Sequence, residues 1–163
     1  MKRKMAVVAF ALGLIAGELN PLGWLAWRLI ALRLPALKER SLAVSSVFES
    51  VPRSRWIGES TNAFVLQNDM APIAPVHLLV IPKRRYTSLL EAPPELLGEM
   101  LELAKHAAVE RGIAESGFRV IINTNPQGAQ TVYHLHMHVL GGTQLDWPLI
   151  PEIRARLISG SRN

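Results

Sequence analysis

Three of the chain's five histidines occupy alternate positions in one apolar run, Thr131 to Gly142, as His134, His136 and His138. Successive side chains of a β-strand point to opposite faces, so a strand here places the three imidazoles on one face and the apolar residues on the other. A helix would turn every second residue by about 200° and would give neither set a common face. The spacing therefore predicts a strand with one chemical face and one core face.

The chemistry of such a face depends on what surrounds it. Alternate imidazoles on a strand stand about 6.6 Å apart at their bases, close enough to converge on a phosphate group or a metal ion. The spacing leaves three interpretations open: a zinc site, metal-free catalysis, and buried structural histidines. From Thr124 to Gly142 there is no Asp or Glu to complete a ligand set or orient an imidazole. The nearby polar residues are neutral and suit phosphate oxygens: Asn123, Asn125, Gln127, Gln130 and Thr131.

The composition excludes several classes of function. The chain has no cysteine, which rules out disulfides, thiolate metal sites and cysteine nucleophiles. Its net charge of +5 comes from residues 1–44, which hold seven Lys or Arg and two Glu, whereas residues 45–163 hold eleven of each sign. A neutral domain lacks the basic surface that nucleic acids require. We therefore expect no nucleic-acid partner.

Residues 1–44 form a hydrophobic, basic leader ahead of the domain. A basic start precedes apolar stretches at 5–17 and 22–37, separated by Glu18 and Pro21. A targeting signal, an interrupted membrane span, an interfacial helix and an extra helix packed on the domain all stay open. We expect membrane association through residues 5–37, with the domain facing the cytoplasm, or alternatively a mitochondrial location. The folded domain then occupies residues 45–148, with a C-terminal extension at 149–163.

The domain itself shows the pattern of an α+β fold. Three further segments predict strands because each is short, apolar and bounded by turn residues: Asn62–Gln67, Val76–Ile81 and Phe118–Asn123. The prolines between the first two place a turn at 69–75. In the second strand, alternation puts His77 on one face with Leu79 and Ile81. This order predicts an antiparallel sheet with a helix on one face.

One segment, Pro93–Arg111, has the features of a helix. Prolines open it, Gly112 closes it, and apolar residues recur at helical spacing. The predicted buried stripe consists of Leu97, Met100, Leu101, Ala104 and Ala108. His106 lies off this stripe, so we expect it to be a solvated surface residue.

Together these motifs resemble a known family. The run His134–Gly142 resembles the histidine-triad motif of the HIT nucleotide-binding proteins, and Asp69–Lys83 resembles that family's first characteristic block. Gln130–Tyr133, with Gln144 and Trp147-Pro148, is similar to the Hint branch. The resemblance covers about residues 48–148.

The resemblance implies a HIT-like fold, with an antiparallel sheet of about five strands and two helices, paired into a homodimer. It also implies hydrolysis or transfer at the α-phosphate of a purine nucleotide, typically a phosphoramidate or aminoacyl adenylate, with no cofactor and no metal. A non-catalytic nucleotide-binding module is the alternative. We expect the nucleophile to be a neutral imidazole and the neighbouring histidines to deliver a proton to an amine leaving group.

By match of motif, each site residue takes an implied role. His136 is the nucleophile, His138 contacts the phosphate and the leaving group, and His134 and His77 support the cluster. The implied substrate contacts are Asp69 to the ribose, Met70 to the base, and Asn123, Gln130, Thr131 and His138 to the phosphate. Thr131 stands where the Hint branch usually has serine, and the loop 124–129 is less glycine-rich than usual. These departures put the leaving-group preference in question.

Overall fold

The structure is a computed structural model that describes Leu25 and residues 28–145. Most of the predicted leader and the whole predicted extension at 149–163 lie outside the described residues. The predicted membrane association, and the location of the protein, therefore stay predictions. Among the described residues, no helix is both long and apolar enough to cross a bilayer.

A five-stranded antiparallel sheet forms the centre of the fold, in the order β1-β2-β3-β5-β4. The strands are β1 (Gly58–Glu59), β2 (Ala63–Gln67), β3 (Val76–Pro82), β4 (Phe118–Ile122) and β5 (Met137–Gly141). The predicted antiparallel sheet is therefore confirmed. The two-residue strand β1 was not predicted, because so short a segment carries no period-2 pattern.

The two faces of the sheet separate core from site as the alternation predicts. Helix α2 (Pro94–Glu110), which follows helix α1 (Leu34–Leu42) along the chain, packs on one face of the sheet. The core beneath it includes Val65, Leu78 and Val80, together with Leu135, Met137 and Val139 from the histidine run. A second apolar cluster covers part of the other face, where Phe64, Leu66, Leu79 and Ile81 pack with Phe48, Val51 and Trp56. The residues predicted to face away from the histidines are thus core residues.

The buried stripe of α2 is only partly as predicted. Met100, Ala104 and Ala108 are buried, but Leu101 is 50% exposed and Leu97 is only partly buried. Leu96, Leu103 and Ala107 take their places in the core. The helix carries apolar residues on more than one side, so its spacing alone does not select the face that meets the sheet.

The strand with the histidines begins later than predicted. Ladder pairing starts at Met137, so only His138 lies in β5, while His134 lies in a bend and His136 in the irregular segment between this bend and β5. A backbone hydrogen bond outside the ladder holds this segment: the Leu135 N–H donates to the Tyr86 carbonyl at 2.6 Å. Alternation nevertheless continues through it, which keeps the three imidazoles on one face.

Helix α1 (Leu34–Leu42) lies within the sequence assigned to the leader. Leu34 is buried at 3% exposure. The helix contacts the loop that precedes the histidine run, at the short 3₁₀ turn Pro126–Gly128. The end of the leader sequence therefore packs on the domain.

Candidate active site

The hydrogen bonding of His136 defines which tautomer its imidazole adopts. Its Nδ1 lies 2.8 Å from the backbone carbonyl oxygen of His134. A carbonyl only accepts hydrogen bonds, so Nδ1 carries the proton and donates it, and in a neutral ring Nε2 then holds a free lone pair. The residue is 7% exposed. His136 therefore presents a neutral ring with an unprotonated Nε2.

His77 and His138 form a hydrogen-bonded pair beside it. The Ile73 N–H donates to His77 Nδ1 at 3.2 Å, and the Asn68 amide nitrogen lies 3.2 Å from the same atom. His77 Nδ1 is thus an acceptor, so Nε2 carries the proton and donates to His138 Nδ1 at 2.9 Å. His138 must then carry its own proton on Nε2. The ring centroids of His136 and His138 are 4.9 Å apart.

This pair has no position for an additional proton unless a hydrogen bond breaks. His138 Nδ1 already accepts the proton that His77 Nε2 donates, and His77 Nδ1 already accepts from a backbone N–H. His138 is accordingly a neutral donor through Nε2. The expected proton transfer from His138 to the leaving group stays a prediction; in this arrangement a neutral imidazole that gave up its proton would become an imidazolate.

His134 is anchored to the end of β3. Its Nε2 donates to the Pro82 carbonyl at 2.9 Å, and its Nδ1 is buried without a partner among the described residues. Phe48 packs edge-on against the rings of His134 and His136, with centroid distances of 5.6 and 5.3 Å. The aromatic ring covers the two imidazoles and fixes their orientation.

Burial keeps all four histidines neutral. Desolvation, followed by the nearby His136, lowers the pKa of His77 to about 4 and that of His138 to about 3. Burial also lowers the pKa of His134 and His136 below the usual value of a histidine. The direction agrees with the hydrogen bonding, since a neutral tautomer fits the contacts of each ring. At pH 7 the site is an uncharged imidazole cluster.

The loop before the cluster holds the predicted phosphate contacts. Asn123 and Thr131 are half-buried at its two ends. Gln130 is 1% exposed, and its amide is fully engaged: Nε2 donates to the Thr87 and Val132 carbonyls at 2.6 and 3.1 Å, and Oε1 accepts from the Asn125 N–H at 2.9 Å. Gln130 therefore shapes the loop, and its amide has no hydrogen left for a ligand.

The predicted nucleoside contacts lie on the turn before β3. Asp69 is exposed and pairs with Arg55 at 2.9 Å, and Met70 is 72% exposed. Neither touches a histidine directly, but the neighbouring Asn68 contacts His77. The structure thus connects this turn to the cluster through Asn68 and Ile73.

Sequence reasoning missed several contributors. Phe48, Asn68 and Ile73 contact the cluster, and the Thr124 hydroxyl is buried beside Asn123 with no partner among the described residues. Only Asn68 had a signal, as a polar residue directly before the implied ribose contact. His106 is exposed on α2, as predicted. Within residues 28–145, no three His, Asp or Glu side chains are grouped so that they could hold a metal ion.

An antiparallel sheet that presents an alternating histidine cluster, with a polar loop before it, defines a histidine-triad protein. The HIT domain matches residues 51–145, and the chain belongs to this family. The chain is 48% identical over 85 residues to the adenylylsulfatase HINT1 of Arabidopsis thaliana, covering 49% of this chain and 57% of that protein. It is 47% identical over 85 residues to a 14 kDa zinc-binding protein of Brassica juncea, covering 49% of this chain and 74% of that protein.

A solved structure shares the fold. A HIT family hydrolase from Legionella pneumophila matches with a TM-score of 0.54 and 33% identity, covering 69% of this chain and 96% of that one. The family membership and the α+β HIT-like fold implied by the resemblance are therefore confirmed.

Proposed function

We propose that the protein is a purine nucleotide phosphoramidase or nucleotidyl hydrolase that acts at the α-phosphate through a nucleotidyl-His136 intermediate. The observation that carries the proposal is the hydrogen bond from His136 Nδ1 to the His134 carbonyl, which leaves Nε2 as a buried, neutral nucleophile. A lone pair on a neutral imidazole attacks phosphorus without prior deprotonation. The activity in the names of the Arabidopsis and Legionella proteins agrees with this chemistry.

The reaction takes two displacements at phosphorus. His136 Nε2 attacks the α-phosphorus, the bond to the leaving group breaks, and the leaving group takes the bonding electrons. A carboxylate leaves without a proton, whereas an amine takes one from solvent. Water then attacks the phosphorus, the P–Nε2 bond breaks, its electron pair returns to Nε2, and the nucleoside monophosphate is released with a proton to solvent. Covalent capture thereby divides one difficult displacement into two easier ones.

Two hydrogen bonds stabilise the charges that develop. The His138 Nε2–H donates toward the negative oxygens or the leaving group, as a preorganised donor in a buried site. The His134 carbonyl accepts from His136 Nδ1–H, and this bond strengthens when nucleotidylation makes the ring cationic. Asn123 and Thr131 are proposed to contact the phosphate, with Asp69 and Met70 on the nucleoside.

The function is tested by steady-state hydrolysis of adenosine 5′-phosphoramidate by the full chain. We expect turnover that does not change when EDTA is added, because each step above uses imidazole groups and solvent. Turnover that is lost to EDTA and restored by zinc would contradict this scheme in favour of a metal-dependent one. AMP binding without turnover of a phosphoramidate or an acyl adenylate would instead identify a non-catalytic nucleotide-binding module.

The sheet also has an edge suited to dimer formation. β4 is an edge strand, and its Phe118, Val120 and Ile122 are only half-buried, while α2 has its principal contacts on β1, β2, β3 and β5. An exposed edge offers unpaired N–H and C=O groups to a second copy. We propose a homodimer in which two β4 strands pair about a twofold axis.

Sedimentation velocity of the full chain should therefore give a dimer at micromolar concentration. Val120→Glu should shift the distribution to monomer, because it places a charge at the paired edge; since Val120 also packs against the core, a retained cooperative thermal transition is the folding control. Leu90→Glu, at a 76% exposed position in another part of the domain, should stay dimeric. A wild-type monomer would overturn the proposed dimer.

A further inference from the structure

Helix α1 contacts the loop that precedes the histidine cluster. Lys38 Nζ donates to the Asn125 side-chain oxygen at 3.0 Å, and it lies 5.7 Å from the centre of the Tyr133 ring. Leu34, one turn earlier, is buried at 3% exposure. A residue of the predicted leader thus makes a direct polar contact with the loop 123–131, which holds the predicted phosphate contacts.

The residue that Lys38 holds has an unusual backbone. Asn125 has φ 62° and ψ 175°, and Ala129 has φ 59°, so two non-glycine residues of this loop lie at positive φ. Such conformations persist only when the surroundings hold them in place. The Asn125 N–H donates to Gln130 Oε1 at 2.9 Å, and its side chain accepts from Lys38. The Gln130 N–H also donates to the Asn125 carbonyl at 3.1 Å, so Asn125 is fixed by two hydrogen bonds within the loop and one from α1.

A second contact ties the other end of α1 to the histidine run. The Arg85 guanidinium donates to three backbone carbonyls: Nη2 to Ser41 at 2.9 Å, Nη1 to Val44 at 2.8 Å, and Nε to Tyr133 at 3.0 Å. The Tyr133 carbonyl belongs to the peptide directly before His134. Arg85 thus joins the end of α1 to the start of the cluster.

We propose that Lys38 and Arg85 are positioning residues that make α1 part of the active site: Lys38 holds the loop 123–131 in the form that binds the α-phosphate, and Arg85 holds the Tyr133 peptide that follows this loop. The inference rests on the proposed function, in which this loop contacts the phosphate. It assigns the end of the leader sequence a role in the reaction in addition to any role in localisation. The contacts act through Asn125 and Tyr133, and neither cation reaches the reacting atoms.

The test compares full-chain variants in steady-state hydrolysis of adenosine 5′-phosphoramidate. Lys38→Met should raise KM roughly tenfold, the size expected for losing one hydrogen bond from a charged donor. kcat should change less than about twofold, because the loop holds the phosphate equally in the ground state and the transition state. Lys38→Arg should restore the KM, since it restores a charged donor.

The matched control is Arg40→Met, which removes an exposed cation from the same helix. An unchanged KM in Lys38→Met overturns the inference, and so does an equal rise in Arg40→Met, which would indicate a general charge effect. A purely structural role would lower the melting temperature and leave KM unaltered. If the wild type turns over no substrate, the proposed function fails, and the inference is judged on AMP affinity, which Lys38→Met should weaken and Arg40→Met should not.

Discussion

His136→Ala should lower kcat for adenosine 5′-phosphoramidate by roughly 10⁴-fold or more, as removal of a catalytic nucleophile does in other covalent enzymes. The variant removes the lone pair that the His134 carbonyl orients. His134 also donates to a backbone carbonyl, but its other ring nitrogen is buried without a partner among the described residues. The measurement is single-turnover and steady-state hydrolysis with EDTA present.

The control for this substitution is His106→Ala, which removes an exposed histidine from α2. It should retain wild-type kcat and KM. AMP binding and a cooperative thermal transition should show that His136→Ala is folded with an intact pocket. Substantial turnover in folded His136→Ala would sink the nucleophile assignment.

His138→Ala should lower kcat by about 10²- to 10³-fold, the loss expected for one preorganised donor to a developing negative charge. His138→Asn should recover part of this loss, because the amide N–H₂ group is again a neutral donor. Both effects follow from a His138 that stays neutral and donates through Nε2.

The pH profile distinguishes this role from acid catalysis. Burial lowers the pKa of His138 to about 3, so the residue stays neutral above pH 5 and its charge should not limit kcat between pH 5 and 8. A wild-type kcat that falls through an ionisation in this range, and a fall that disappears in His138→Ala, would contradict the neutral-donor role. The thermal transition of each variant again serves as the folding control.

The sequence was sufficient to predict which residues share a face of the sheet but not where its strands begin and end. Alternation is a local property of an extended chain, so it placed His77 and the three later histidines on one face and Leu135 and Met137 on the other. The start of β5 depends on where neighbouring strands end, which the histidine run does not encode. For α2, the helical spacing did not identify Leu96 or Leu103 as core residues, because leucines lie on several sides of the helix.

The protonation of the site was beyond sequence reasoning for a related reason. The form of two rings depends on a distant backbone group, the Pro82 carbonyl for His134 and the Ile73 N–H for His77. Backbone groups are the same at every position, so no residue type signals their approach. The proton-transfer role expected for the neighbouring histidines stays a prediction, which the pH profile of kcat tests.

The Ile73 N–H belongs to the turn at 69–75, and the same turn carries Asp69 and Met70. The proposed nucleoside contacts and the hydrogen bond that sets the charge state of the histidine pair therefore share one short segment. A ligand that displaced this turn would release His77 Nδ1, and the pair could then accept a proton from solvent. A nucleoside and a bare phosphate bound at this site would thus be distinguished by the number of protons taken up on binding.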